Sequence, residues 1–105
     1  MKDVQGLLKQ IKNSITNSDP DAVLILYGSY ARGDNTDASD VDLLVLVDKD
    51  VISRTDQKRI KYPLYDIEFD TGTIISPMIF TKKDWETRYK NTPFYQNVTS
   101  EGRVL

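Results

Sequence analysis

The chain has 105 residues, which suits one small domain and leaves no room for a second substrate-binding one. Charged residues make up 29% and the formal net charge is −2, so there is no bulk positive charge with which to grip nucleic acid. Cysteine and histidine are both absent, which excludes disulfides, thiolate sites, histidine-ligated zinc and histidine bases; any acid–base or metal chemistry must use carboxylates.

Val4, Leu7, Leu8, Ile11 and Ile15 recur at helical spacing, with Lys2, Lys9, Lys12 and Asn13 on the other side. This predicts an amphipathic helix over residues 2–17. Met1-Lys2-Asp3 leads straight into that stretch, unlike a secretory signal, and every apolar run is too short to span a bilayer. A cytoplasmic location with no membrane partner is the expectation. Pro20 forbids continuation of the helix. Residues 22–27 form a short apolar run, read as a strand. Residues 28–39 are read as a loop, with room for one helical turn starting at Ser29. Val41 to Val47 is almost entirely β-branched or leucine, which predicts a central strand covered on both faces.

The second half is less decided. Ser53-Arg54-Thr55-Asp56 has the form of a capping box, and Ile60, Leu64 and Ile67 follow at helical spacing. Yet residues 65–70 alternate in the strict strand period, and Pro63 weakens a helix interior. Gly72 fits a helix C-cap or a turn equally. Residues 73–80 read as a strand, with Pro77 pointing to an edge or a bulge. Thr81 to Asp84 resembles a second capping box, opening a short helix through Trp85 to about Tyr89. The tail from Pro93 to Leu105 carries enough apolar groups to pack on the body. Tyr62, Tyr65, Trp85, Tyr89, Phe94 and Tyr95 are divided between core and rim roles.

Chemistry concentrates between the two first-half strands. Asp34, Asp37, Asp40, Asp42 and Asp48 crowd one stretch, relieved only by Arg32. Side chains two apart on a strand share a face, so Asp40 and Asp42 present two carboxylates together. Such carboxylates repel unless a cation sits between them. Mg²⁺ commonly takes one or two protein carboxylates and completes its shell with water and phosphate oxygens. Gly28 lets backbone approach a ligand closely, and Ser29 offers a hydroxyl and an N–H at the start of a helical turn. A triphosphate is the natural occupant. Arg32 serves either as a phosphate contact or as a neutraliser of the acidic loop. The spacing fits neither an EF-hand register nor a Walker loop.

Gly28-Ser29, ten intervening residues and Asp40-Val41-Asp42 resemble the signature of the DNA polymerase beta-like nucleotidyltransferases. More narrowly, Gly28-Ser29-Tyr30-Ala31-Arg32-Gly33 followed by Ser39-Asp40-Val41-Asp42-Leu43 is similar to the minimal nucleotidyltransferase branch. The resemblance implies an α/β (α+β) fold, a small mixed sheet flanked by helices in one domain over residues 1–105. It implies that Gly28 and Ser29 hold the nucleotide phosphates, and that the catalytic pair Asp40 and Asp42 holds Mg²⁺, two ions in the usual scheme. The implied reaction moves a nucleoside monophosphate, often AMP from ATP, to an acceptor hydroxyl. Some minimal members are antitoxins that adenylylate a HEPN-type partner on tyrosine. This chain contains no HEPN bundle, so such a partner would be a separate protein. A domain this small leaves few walls for an acceptor, so a homodimer or partner subunit is expected to complete the pocket.

The family normally adds a third carboxylate from a later strand. If residues 55–71 are helical, as the family layout favours, the matching position holds Ser76, a poor metal ligand and base. If residues 64–70 are a strand, Asp66 or Glu68 could serve. Two functions therefore compete: a Mg²⁺-dependent nucleotidyltransferase, and a nucleotide- or partner-binding module that keeps the fold without turnover.

Overall fold

The structure, a computed structural model, describes residues 3–105. Helix α1 spans Val4–Ser18, with Leu7, Leu8, Ile11 and Ile15 buried as their spacing predicts. Asp3 caps it by accepting the Gly6 N–H. The expected start at Lys2 lies outside the described residues. Strand β1 (Val23–Tyr27), the single turn α2 (Ser29–Arg32) and strand β2 (Val41–Val47) follow, in agreement with the apolar runs and the Gly-Ser punctuation. Helix α3 (Arg54–Thr71), strand β3 (Ile75–Thr81), helices α4 (Lys82–Thr87) and α5 (Pro93–Glu101) and the two-residue strand β4 (Arg103–Val104) complete the order.

The sheet is mixed and runs β3-β2-β1-β4. β2 pairs antiparallel with β1 and parallel with β3, and β4 pairs antiparallel with β1. α3 makes the crossover that a parallel pair requires. β2 is covered on both faces, as predicted. Val41, Leu43, Val45 and Val47 pack with residues of α1 and α3, while Leu44 and Leu46 turn the other way onto Trp85 and Val98. Burying a side chain of this size contributes roughly 1.5–3 kcal/mol, so the strand that ends in the acidic pair is also the anchor of the fold.

The ambiguous stretch is helical, so the strand alternative for residues 64–70 is overturned. Both halves of the Ser53–Asp56 capping box form, and Gly72 closes α3 in the left-handed conformation at φ 73°. Pro63 sits inside α3 and cannot donate to the Arg59 carbonyl one turn back. The Ser18 hydroxyl, from the end of α1, donates to that carbonyl at 3.1 Å instead. The proline's missing bond is thus supplied by the neighbouring helix, which ties α1 to α3.

β3 begins at Ile75, two residues later than expected, and Pro77 does lie on an edge strand. The Ile75 N–H donates to Glu68 of α3 at 2.8 Å, and Pro77 has no N–H to offer. Thr81 accepts from the Asp84 N–H at the start of α4. That helix stops at Thr87, not near Tyr89, because the Tyr89 N–H shares the Asp84 carbonyl with Arg88 while its ring settles 4.5 Å from that of Phe80. The tail packs on the body as expected, through α5 and β4. Trp85 is buried among Phe80, Phe94 and Tyr95, whereas Tyr62 and Tyr65 stay about half exposed. No helix among the described residues is long and apolar enough to cross a membrane.

Candidate active site

The β1–α2 turn and the start of β2 meet because Tyr27 pairs with Asp42 in the antiparallel register. Gly28 follows at φ 75° and ψ −155°, a conformation open essentially to glycine. Space demands glycine as well, since a Cβ there would collide with the Asp42 carboxylate. The backbone at the bend therefore lies directly against the second aspartate. Ser29 opens α2, and the Ala31 and Arg32 N–H groups both close on the Gly28 carbonyl at 3.1 Å.

Gly28, Ser29, Arg32, Asp40 and Asp42 all line one open cavity of about 550 Å³. The two carboxylates and the glycine–serine bend thus face one cavity, with Asp40 just before β2 and Asp42 inside it. Burial raises the Asp42 pKa above the ordinary carboxylate value, the negative charge of Asp40 adds to it, Arg32 offsets part, and Glu101 adds again. The Tyr27 hydroxyl is raised too, by burial first and then by Asp42. Like charges held together in a partly desolvated cleft favour a cation between them. All-oxygen side chains and room for phosphate suit a hard divalent ion, and Asp40 and Asp42 are the residues that could hold one. Among the described residues no group of three or more His, Cys, Asp or Glu side chains is placed to hold a metal.

Glu101 is the site residue that sequence reasoning missed. It ends α5, and its carboxylate accepts the Gly28 N–H at 3.1 Å and Arg32 Nη1 at 3.1 Å. The bend is therefore fastened to the C-terminal helix. The only hint in the chain is an acid one residue before Gly102, within a tail too weakly patterned to locate in space. Arg32 lines the cavity, yet it is already bound by Asp34 at 3.2 Å and by Glu101, and both bonds keep its guanidinium firmly charged. Of its two possible roles, neutralising the acidic loop is the one its contacts describe.

No third acid comes from the sheet. Asp42 faces Ser76 across the β2–β3 register, the residue at which the family resemblance leads one to look for the later carboxylate. Asp66 is exposed on α3, and Glu68 is spent on the Ile75 N–H; neither lines the cavity.

The family model described as "Nucleotidyltransferase domain" matches residues 8–98. The chain belongs to the nucleotidyltransferase domain family. Two relatives from Methanocaldococcus jannaschii, both provisionally named protein adenylyltransferases, agree with this. One is 36% identical over 85 residues, covering 78% of this chain and 75% of the relative. The other is 39% identical over 79 residues, covering 72% and 78%. Among solved structures, a toxin–antitoxin with AMP-PNP superposes with a TM-score of 0.60 at 17% identity, over 98% of this chain and 72% of that one. A nucleotidyltransferase assigned provisionally from Sulfolobus solfataricus gives 0.59 at 19% identity, over 96% and 78%. At these identities the structural likenesses establish the fold, and the family match makes the chain an enzyme of nucleotidyl transfer, a family whose members suggest a nucleoside triphosphate substrate and a divalent metal.

Proposed function

We propose that this nucleotidyltransferase is a Mg²⁺-dependent protein adenylyltransferase, moving AMP from ATP to a hydroxyl of a protein acceptor. The observation that carries the reading is the convergence of Asp40, Asp42 and the Gly28–Ser29 bend on one cavity. When bound, Mg²⁺ would neutralise the triphosphate and polarise the phosphoryl group under attack. Asp40 and Asp42 would hold it. The Ser29 N–H and hydroxyl orient the phosphate tail, and the glycine lets that tail lie close to the carboxylates. Glu101 acts as a positioning residue, since it fixes the Gly28 backbone and Arg32 together. The protein acceptor is favoured by the names of both archaeal relatives. A toxin–antitoxin stands among the structural neighbours; that the acceptor is a separate HEPN-type protein modified on tyrosine rests on the family resemblance of the sequence alone.

Incubation with labelled ATP, Mg²⁺ and the product of the neighbouring gene should label that product. Loss of label on Asp42→Asn supports the reading; an equally labelled Asn variant sinks it. The binding-module reading is favoured by one observation, Ser76 in the place of the third acid. Ser76→Asp separates the two. If turnover is limited by a missing metal ligand, the variant labels faster and needs less Mg²⁺. If two carboxylates suffice, the rate is unchanged or lower.

A further inference from the structure

We infer that the α5 wall of the cavity is the nucleobase subsite, with Phe94 against the ring and Asn97 reading its polar edge. This rests on the proposed use of ATP and names what grips its adenine. Phe94, Asn97 and Glu101 are spaced by three and four residues, so they share one face of α5. All three line the cavity that also holds the glycine–serine bend and the two aspartates. Tyr95 and Val98, on the adjoining face, pack with Trp85 instead, the Tyr95 ring at 4.7 Å. The helix thus has one face for the fold and one for the site.

The cavity joins two chemistries. Around Gly28, Ser29, Asp40 and Asp42 its lining is polar and suits phosphate. Toward the start of α5 it is aromatic, because Tyr27 and Phe94 both border it. Phe94 meets Tyr27 edge-on at 5.4 Å and Trp85 edge-on at 5.7 Å, so two neighbours hold its ring while part of it stays accessible. Glu101 fastens the far end of the same face to the Gly28 N–H. From Glu101 back along the helix, Asn97 lies roughly 6 Å away and Phe94 roughly 10 Å. Bend, amide and ring therefore succeed one another along the wall, and a nucleotide presents phosphate, sugar and base in the same order. Asn97 is exposed, and among the described residues its side-chain amide has no hydrogen-bond partner; only its backbone carbonyl is engaged, by the Ser100 hydroxyl. An amide sets a donor beside an acceptor. Adenine carries the complement on both of its edges, a ring nitrogen beside the 6-amino group. Guanine shows two acceptors, N7 and O6, on its outer edge, so the amide can satisfy only one of them there.

Calorimetric titration with ATP, GTP and inorganic tripolyphosphate, each with Mg²⁺ and without an acceptor protein, tests this. The wild type should bind ATP about tenfold or more tighter than GTP or tripolyphosphate. Asn97→Ala should erase the advantage over GTP and leave tripolyphosphate affinity where it was. Asn97 is exposed, so its truncation spares the fold. Phe94→Leu keeps apolar bulk against Trp85 and should weaken ATP and GTP together by about tenfold, again with tripolyphosphate unaffected. Circular dichroism monitors the fold of both variants. An Asn97→Ala protein that still prefers ATP, or that loses ATP and GTP equally as a sugar contact would, overturns the inference. So does a wild type that binds ATP no better than tripolyphosphate. Each of these results leaves the phosphate-and-metal reading standing, provided that Asp42→Asn weakens tripolyphosphate binding. Failure of that reading looks different: Asp42→Asn binds tripolyphosphate as the wild type does, or neither ATP nor tripolyphosphate binds at all, and the latter ends the inference too.

Discussion

Asp42 and Asp56 are both partly sheltered carboxylates at the ends of regular elements, and their surroundings are opposite. Asp56 is 9% exposed, bonded to Lys49 at 2.6 Å, to Arg59 at 3.0 Å and to the Ser53 N–H at 3.0 Å. The Lys49 ammonium first, and the Ser53 cap next, hold its carboxyl well below the usual carboxylate range. Asp42 is pushed the other way by burial and by Asp40, with Arg32 as its one nearby counter-charge. The first carboxylate is satisfied by the chain itself and serves the fold. The second is left in want of a cation, which is the role the proposed function gives it. Unfavourably placed acids in a cleft are the ordinary mark of a working site.

The largest expected break in this contrast comes from Asp42→Asn. Labelling of the acceptor should fall by more than about a hundredfold, since a bound metal supplies several kcal/mol of transition-state stabilisation. The same variant should melt at a higher temperature at neutral pH. Folding raises the Asp42 pKa, so its charge costs stability above that pKa, and the cost disappears as pH falls through it. The thermal gap between Asn and Asp should therefore close in acid. Equal melting temperatures at neutral pH would refute the assignment of Asp42 as a strained carboxylate.

Gly28→Ala should lose nucleotide binding and destabilise the chain by about 1–3 kcal/mol, because a side chain there meets both a disfavoured φ and the Asp42 carboxylate. Urea unfolding and nucleotide titration measure the two effects. Glu101→Ala should weaken nucleotide binding by about tenfold through loss of a charge-assisted tether. It should also lower the Asp42 pKa by removing one like charge, which a carboxyl titration by NMR would detect. Glu101→Gln keeps an acceptor for the Gly28 N–H and should retain most of the affinity.

Asp56→Asn is the smallest change for function and the sharpest control. Nucleotide binding should be unaltered. Stability should drop at neutral pH, because a carboxylate whose pKa is lowered by folding contributes above its unfolded pKa and loses that contribution as pH falls. The gap between wild type and variant should thus shrink below about pH 4. A gap constant down to strongly acidic pH would mean that the charge of Asp56 is irrelevant and only its shape counts.

The first half of the chain was legible because its signals agree with one another. A continuous apolar run, a glycine–serine bend and paired aspartates each restrict the backbone locally, and the register of β1 on β2 follows from them. Residues 64–70 were ambiguous for a reason now visible. α3 is apolar on two sides, so Tyr65, Ile67 and Phe69 mimic strand alternation although Ile67 faces the core and the other two face out. The Ser53–Asp56 box at its start and the left-handed Gly72 at its end were the reliable signs. Glu101 could not be found, because its bond to Gly28 spans 73 residues and α5 buries only Val98. Long-range placement of this kind depends on packing, which periodicity does not encode.

The borders of the sheet govern how these molecules can associate. On one side β3 gives its Ile75 N–H to Glu68 and has a proline at 77. On the other, β4 is only two residues long. Both rims are thus shortened or interrupted as main-chain ladders on which a foreign strand could grow. Crowding should accordingly favour discrete, reversible particles over fibrils.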